Sequence, residues 1–382
     1  MVRRPAPADW PDYSCAVSNQ SLPAGSPAAP LISVLIVTAG RPTELDACLA
    51  SLQAQEAPPA HEVMVLGVGD PTIGPVVRAR YPQATIGFIE RVHPGAARNA
   101  LIERARGELL LFLDDDVTAS PTLLARTAEL ARLHPDVAVF GGPNLTPPAS
   151  TRFQRVQGAV LSSIVASGPI RRRYGRHPAT VADERWFTLC NLAVRRSAML
   201  PFAVDLVCAE ENAVLAAMSR SGSRMLYDPG LVAYHERRST WRSFAAQMLK
   251  YGRGRGQLLA RDPRTLRPAY LAPSALLVAL VLVPLVGATV TQWAFGLPLL
   301  YLGAVVASGW KVARTVRPKG DWVLASALVL TVHGYYGWGV ITGLLGPRSR
   351  RKTMAATWVT LDDSPPQTAA AVRPSTDAGA RT

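Results

Sequence analysis

The 382-residue chain is short of cysteine and short of acid. Its four cysteines, Cys15, Cys48, Cys190 and Cys208, form no CxxC pair and keep no regular spacing, which excludes a disulfide scaffold and a zinc module. Asp and Glu number 27 against 41 Lys and Arg, a formal net charge of +14 that points to an anionic partner. Gly67, Gly69 and Gly74 are not spaced as GxGxxG, and no GxxxxGK[ST] occurs, so hydride transfer and P-loop chemistry are disfavoured. Residues 1–30 lack an apolar run that could serve as a secretory signal and read as a flexible leader that stays in the cytoplasm. Charged residues make up only 18% of a chain that is 48% hydrophobic, which excludes a disordered protein and hints that part of it lies in lipid.

That part is at the C-terminal end. From Ala269 to Trp310 there is no charged residue, enough for two membrane crossings if the chain turns near Gln292-Trp293 or Gly296-Leu297-Pro298. A second apolar stretch runs from Trp322 to Pro347, giving two or three spans over 269–347. These runs have no polar face of the kind a globular surface helix keeps toward water. Residues 236–268 hold nine Lys and Arg against Glu236 and Asp262, which places that flank, and the domain before it, on the cytoplasmic side. Lys311, Arg314, Arg317 and Lys319 agree with a two-span hairpin. Arg348, Arg350, Arg351 and Lys352 do not agree with three full spans, whereas a re-entrant or interfacial third segment keeps them inside. The tail from 348 to 382 reads as basic and then disordered. Between domain and membrane, residues 241–268 carry Trp241, Phe244, Met248 and Leu249 at helical spacing with cations interleaved, the pattern of an interfacial amphipathic helix. Because the basic residues gather there and no aromatic stacking pattern accompanies them, nucleic acid is not expected as a partner.

The soluble region, 31–240, alternates short apolar runs with helical stretches. Ser33–Val37, Glu62–Leu66, Thr85–Ile89 and Glu108–Leu113 read as strands; Pro42–Gln53, Gly74–Tyr81 and Gly95–Arg106 read as helices. Alternating β and α units predict a mostly parallel, doubly wound α/β sheet with ligands beyond the carboxyl ends of its strands. There the buried strand through Leu113 runs into Asp114-Asp115-Asp116. Three adjacent carboxylates after a buried strand are costly without a positive charge among them. Alternation along extended chain turns Asp114 and Asp116 the same way, able to flank a divalent cation, with Asp115 pointing elsewhere. An acidic turn or helix N-cap is the plainer explanation of the same three residues.

The order of motifs over residues 32–256 resembles the family 2 glycosyltransferases of the GT-A fold. Ser33-Val-Leu-Ile-Val-Thr38-Ala-Gly-Arg41-Pro42 is similar to that family's first strand and nucleotide loop, and Pro94-Gly95-Ala96-Ala97-Arg98-Asn99 to the segment whose arginine approaches the diphosphate. Phe112-Leu113-Asp114-Asp115-Asp116 resembles the DxD motif. Asn191-Leu-Ala-Val-Arg195-Arg196, Glu210-Glu211 and the run from Tyr227-Asp228-Pro229 to His235 follow in the family's order. Gln247-Met-Leu-Lys250-Tyr251 looks like a variant of QxxRW; a plain basic anchor explains it as well.

The resemblance implies a Rossmann-like sheet and an inverting enzyme that moves a sugar from a nucleotide-sugar donor to a membrane-associated acceptor, a lipid-linked saccharide or surface glycan. It implies a divalent metal, Mg or Mn, held by Asp114, Asp116 and His235. Thr38, Arg41, Arg98 and Asp114 would bind the donor; Asn191, Gln247, Lys250 and Arg253 would bind substrate on the acceptor side; Glu211, with Glu210 beside it, would supply the catalytic base. A neutral hydroxyl needs such a base, and a departing diphosphate needs fixed cations. The few spans favour addition of one or a few sugars over extrusion of polymer.

Each residue also has a plainer reading: Glu210 and Glu211 as first-turn acids of a helix, Arg98 paired with Glu90 or Glu103, Asn191 as a turn residue, His235 as a surface histidine, and Arg171–Arg173 as a solvated loop rather than a contact for lipid phosphate or an anionic acceptor. One departure stands out. After the second strand the family places an acid that recognises the nucleotide base, and this chain has Leu66-Gly67-Val68-Gly69-Asp70. Asp70 substitutes from a shifted loop, or backbone groups hold the base. The competing functions are a non-catalytic membrane binding subunit and a nucleotidyltransferase.

Overall fold

The computed structural model describes residues 30–316, 321–346 and 356–359. The expected leader, Arg317 and Lys319 in the loop, and the basic cluster 348–352 lie outside the described residues.

The first half of the domain follows the expected alternation: β1 (Ile32–Thr38), α1 (Pro42–Gln53), β2 (His61–Val68), α2 (Gly74–Arg80), β3 (Thr85–Ile89), α3 (Pro94–Arg104) and β4 (Leu109–Asp114). There follow β5 (Val117–Ala119), α4 (Leu123–Leu133), β6 (Val137–Gly141), β7 (Asn144–Leu145), α5 (Arg152–Leu161) and α6 (Ile164–Ser167). Then come β8 (Thr180–Val181), β9 (Leu192–Arg195), α7 (Glu210–Arg220), β10 (Arg224–Tyr227) and β11 (Ala233–His235). The chain ends with α8 (Trp241–Arg261), α9 (Pro268–Thr289), α10 (Gly296–Ala313), α11 (Trp322–Leu345) and β12 (Thr357–Val359).

Nine strands form one sheet in the order β12-β3-β2-β1-β4-β9-β6-β10-β8. Strands β3, β2, β1 and β4 run parallel, and β9 enters antiparallel between β4 and β6. Side chains alternate across this sheet. Val34, Ile36, Leu109, Leu111 and Leu113 face one apolar layer; Leu35, Met64, Leu66, Leu110 and Phe112 face the other. Burial on both faces is why β1 and β4 are continuously apolar. The register pairs Val37 with Asp114, so the first and fourth strands deliver Thr38 and the acids to the same edge.

A second, three-stranded sheet, β5-β11-β7, sits at that edge and pairs His235 with Val117, one residue beyond Asp116. Two locks seat β11. The Asn191 side-chain N–H donates to the Leu231 carbonyl, and Asp228 accepts from the Gly230 N–H (2.8 Å) and the Arg126 guanidinium (2.8 Å).

Three helices, α9, α10 and α11, are long and apolar enough to cross a membrane. They differ in how much protein covers them. About 11% of the apolar window of α9 is buried, 28% of that of α10 and 50% of that of α11. Helix α11 runs along the α/β domain. Asp321 at its start pairs with Arg152 of α5 (3.3 Å), His333 contacts the Val165 carbonyl (2.7 Å), and its C-terminal half lies on α8. A Cβ on Gly252 would come 2.1 Å from the Tyr336 carbonyl oxygen, and one on Gly339 would come 2.4 Å from that of Leu249, so the α8–α11 crossing needs both glycines.

Two expectations change here. Phe244 and Met248, expected to face lipid, are fully covered and pack with Val156 and Val160 of α5, because α11 folds back onto α8; Trp241 remains 40% exposed. The tail is not disordered throughout: Thr357–Val359 add an antiparallel edge strand to β3, with Trp358 against Gly87 and under the Arg104 guanidinium (5.2 Å).

Candidate active site

The acids lie where β4 ends. Asp115 and Asp116 are buried, Asp114 half-buried. Helix α1 begins just after Arg41, whose guanidinium reaches across to both Asp115 and Asp116. Burial pushes the Asp115 carboxyl up to about 6, against the pull of Arg41. Asp116 is equally buried, yet His235, Arg41 and Arg238 hold it well below the usual carboxylate range. The N-cap reading of these residues does not apply, since α4 starts only at Leu123, whereas the turn reading holds: Asp115 and Asp116 form the tight turn from β4 into β5.

One ligand atom each from Asp114, Asp116 and His235 fall within 4.8 Å of one another. Asp116 Oδ1 is buried without a hydrogen-bond partner, 3.0 Å from His235 Nε2. The other ring nitrogen of His235 contacts the Asn144 amide (3.3 Å), which fixes the ring. An orphaned carboxylate oxygen beside an imidazole and a second carboxylate is a donor set that fits a hard divalent cation such as Mg or Mn.

Arg98 stands on the first half of α3. Its guanidinium bridges Glu210 (2.5 Å) and Asp114 (3.2 Å), rather than Glu90 or Glu103. The start of α3 packs so closely on the 202–203 backbone that a Cβ on Gly95 would lie 2.2 Å from the Ala203 carbonyl oxygen. Only glycine permits the approach that aims Arg98 into the site.

Glu210 and Glu211 open α7, as the first-turn reading had it, and they also line the cavity. Ala209 before them is held at φ +68°, a left-handed conformation that costs a non-glycine residue of order 1–3 kcal/mol. Asn212 donates to the Glu211 carboxylate (2.5 Å), and Arg173 lies 3.9 Å from it. Burial and the neighbouring Glu210 push Glu211 upward despite Arg173 and Arg255.

A single cavity of about 960 Å³ joins these groups. Thr38, Arg41, Arg98, Asp114, Asp116, Glu210, Glu211, His235, Gln247 and Lys250 all line it. Asn191 and Arg253 do not. Asn191 is buried in the β11 lock, and Arg253 is exposed on α8 with its backbone against α11. The Asp70 carboxylate accepts from the backbone N–H and hydroxyl of Thr72 (2.8 and 2.7 Å) and leans over Gly40 in the β1–α1 loop. Arg173, expected in a solvated loop, is buried and lines the cavity, as does Arg255, which the sequence reading passed over. Its contacts come from Asn212 of α7 and Tyr270 of α9, so no local pattern in α8 marks it.

A family model described as glycosyltransferase like family 2 matches residues 28–254, well over half of the chain and every motif up to α8. The chain belongs to this family. It is 26% identical over 258 residues to the succinoglycan biosynthesis protein ExoM of Rhizobium meliloti (strain 1021), covering 63% of this chain and 78% of that protein. Its fold matches the mannosyltransferase PcManGT from Pyrobaculum calidifontis, solved with GDP-Man and Mn2+, at a TM-score of 0.56 and 17% identity over 83% of this chain and 87% of that one. The fold is therefore GT-A, and the protein is a glycosyltransferase rather than a binding subunit or a nucleotidyltransferase.

Proposed function

We propose that this glycosyltransferase moves a sugar from a nucleoside-diphosphate donor to a hydroxyl of a membrane-held acceptor, with inversion, from the cytoplasmic face of the cell membrane. One observation carries the proposal: the cavity that holds Asp114, Asp116 and Glu211 is also walled by Leu276 of α9, Val305 of α10 and Val332 of α11. An acceptor held in the bilayer gains effective concentration at such a site.

Asp114, Asp116 and His235 would hold Mn or Mg, which when bound neutralises charge on the leaving diphosphate. Arg41 and Arg98, already among the acids, contribute fixed positive charge for the same group. Glu211 accepts the proton of the acceptor hydroxyl. The hydroxyl oxygen bonds to the anomeric carbon as the sugar–phosphate bond breaks, and the electron pair leaves with the nucleoside diphosphate. Attack opposite the leaving group inverts the anomeric centre. Asp70, leaning over the loop after β1, is our candidate for base recognition.

We read α9 and α10 as the crossing pair and α11 as lying along the domain, which keeps the segment after it on the catalytic side, where β12 joins the sheet. Gln247 and Lys250 serve the acceptor from α8. The likeness to ExoM, a succinoglycan biosynthesis protein, supports a role in glycan biosynthesis, and PcManGT supports a nucleotide-sugar donor with Mn2+.

The test is calorimetric titration of the detergent-purified protein with nucleoside diphosphates in Mn2+ or Mg2+. Metal-dependent binding of one of them, lost in Asp116→Asn, is expected; a folded protein that binds none overturns the donor site. NMR of the product's anomeric configuration tests inversion.

A further inference from the structure

Two buried guanidinium groups stand beside Glu211, at Asn212 and toward the start of α9. Arg173, 6% exposed, donates to the carbonyls of Arg185 (2.8 Å) and Glu184 (3.1 Å) and to Asn212 Oδ1 (2.8 Å). Arg255, 7% exposed, donates to the same Asn212 oxygen (2.9 Å) and stacks 4.1 Å above the Tyr270 ring. Tyr270 is 4% exposed, and its hydroxyl has no hydrogen-bond partner. All three line the cavity. Among the described residues the carboxylate that faces them is Glu211, 3.9 Å from Arg173 and already held by Asn212.

Glu211 balances one of these two buried cations, and Arg255 has no carboxylate within ion-pair distance among the described residues, an arrangement that is unfavourable unless a further anion joins it. Among the described residues Arg255 is engaged by Asn212 and by the Tyr336 hydroxyl, fewer partners than its five N–H donors, so it has donors to offer a ligand. A forked guanidinium beside a second one and an unsatisfied phenol suits phosphate oxygens, which accept several donors at once. The wall beyond is apolar: Leu161, Ile164, Pro273, Leu276, Val305 and Val332. A free phosphate or a nucleotide has no use for that wall, whereas a long hydrocarbon chain does.

We infer that Arg173, Arg255 and Tyr270 bind the phosphate or diphosphate of an acceptor carried on an apolar chain, with the chain running between α9, α10 and α11. This deepens the transferase reading and rests on it for the word acceptor; the binding site itself does not. Arg173 then stands between the anion and Glu211, shielding the base from the ligand's charge.

The test is calorimetry on the full chain in nanodiscs of neutral phosphatidylcholine with EDTA present, so that metal-dependent donor binding is silent. The probes are farnesyl diphosphate, inorganic pyrophosphate and farnesol. Farnesyl diphosphate is expected to bind at least tenfold more tightly than either of the others. Arg255→Gln should weaken it at least tenfold, and Tyr270→Phe three- to tenfold. Wild-type affinity in a folded Arg255→Gln overturns the site. If that variant does not fold, Tyr270→Phe decides, and unchanged binding there overturns it too. Pyrophosphate binding as tightly as farnesyl diphosphate overturns the lipid assignment. In a separate titration without EDTA, displacement of farnesyl diphosphate by any of ADP, CDP, GDP or UDP with Mn2+ would put the anion at the acids instead, and also overturns it. Failure of the transferase reading would show elsewhere, as loss of metal-dependent nucleotide binding and turnover.

Discussion

The two sides of the cavity are built differently. On the side we propose for the donor, Thr38, Arg41, Asp114 and Asp116 come from two adjacent parallel strands and the loops that leave them, so short stretches of chain supply nearly complete chemistry. On the side toward α9, Arg173, Glu211 with Asn212, Arg255 and Tyr270 come from four separate segments that meet only once α7, α8 and α9 have packed. The donor side is acidic with arginines drawn into it; the side toward α9 has cations in excess of acids. The division fits the reaction proposed above, with an anionic leaving group on one side and an apolar-tailed acceptor on the other.

Substitutions can break the contrast one side at a time. The largest effect is expected from Asp116→Asn, which removes the orphaned oxygen: turnover should fall by about three orders of magnitude, and metal-dependent nucleotide binding should vanish in calorimetry. Glu211→Gln should lower kcat by ~10²–10⁴ while leaving nucleotide affinity within twofold, measured by steady-state kinetics beside titration. A parallel loss of nucleotide binding would refute the separation of the two sides.

The acid limb of the pH profile sharpens the same point. A base must be unprotonated to act, and the Glu211 carboxyl is raised by burial and by Glu210. Log kcat/KM should therefore climb with pH and level off above the ordinary glutamate value of about 4.3, and that limb should disappear in Glu211→Gln. A profile flat from pH 4 upward removes Glu211 from the role.

Gly252→Leu attacks the side toward α9 through its packing. The new side chain meets the Tyr336 carbonyl, so the variant should lose about 1–3 kcal/mol of stability, read by thermal unfolding, with acceptor affinity falling more than donor affinity. The smallest effect belongs to Arg253→Ala: exposed and outside the cavity, it should change kcat/KM less than twofold, whereas Lys250→Ala, which lines the cavity, should raise the acceptor KM.

The contrast also explains what could be read before folding. Strand β4 announces itself because burial on both faces demands a continuous apolar run, and Asp114 and Asp116 are conspicuous immediately after it. His235 was legible from its place in an ordered set of motifs, but its pairing with Asp116 depends on a three-stranded sheet whose strands span two or three residues each, too short for periodicity to reveal. Arg173 looked like loop charge because basic runs are usually solvated, and nothing local reports that Asn212, 39 positions away, will receive it. Asn191 matched a motif yet serves the fold, since an amide that holds a buried carbonyl looks in sequence like one that holds a substrate.

The sequence by itself determined the α/β alternation, the acids at the end of β4, the basic flank and the apolar C-terminal helices, because each follows from side-chain periodicity or from charge along contiguous chain. Only the tertiary structure decided that α11 lies on α8 through facing glycines, that the tail returns as β12 at the sheet edge, and that Arg173 and Arg255 converge on one carbonyl beside Glu211. Those are contacts between residues tens to hundreds of positions apart, and their geometry is set by packing, which no single segment encodes.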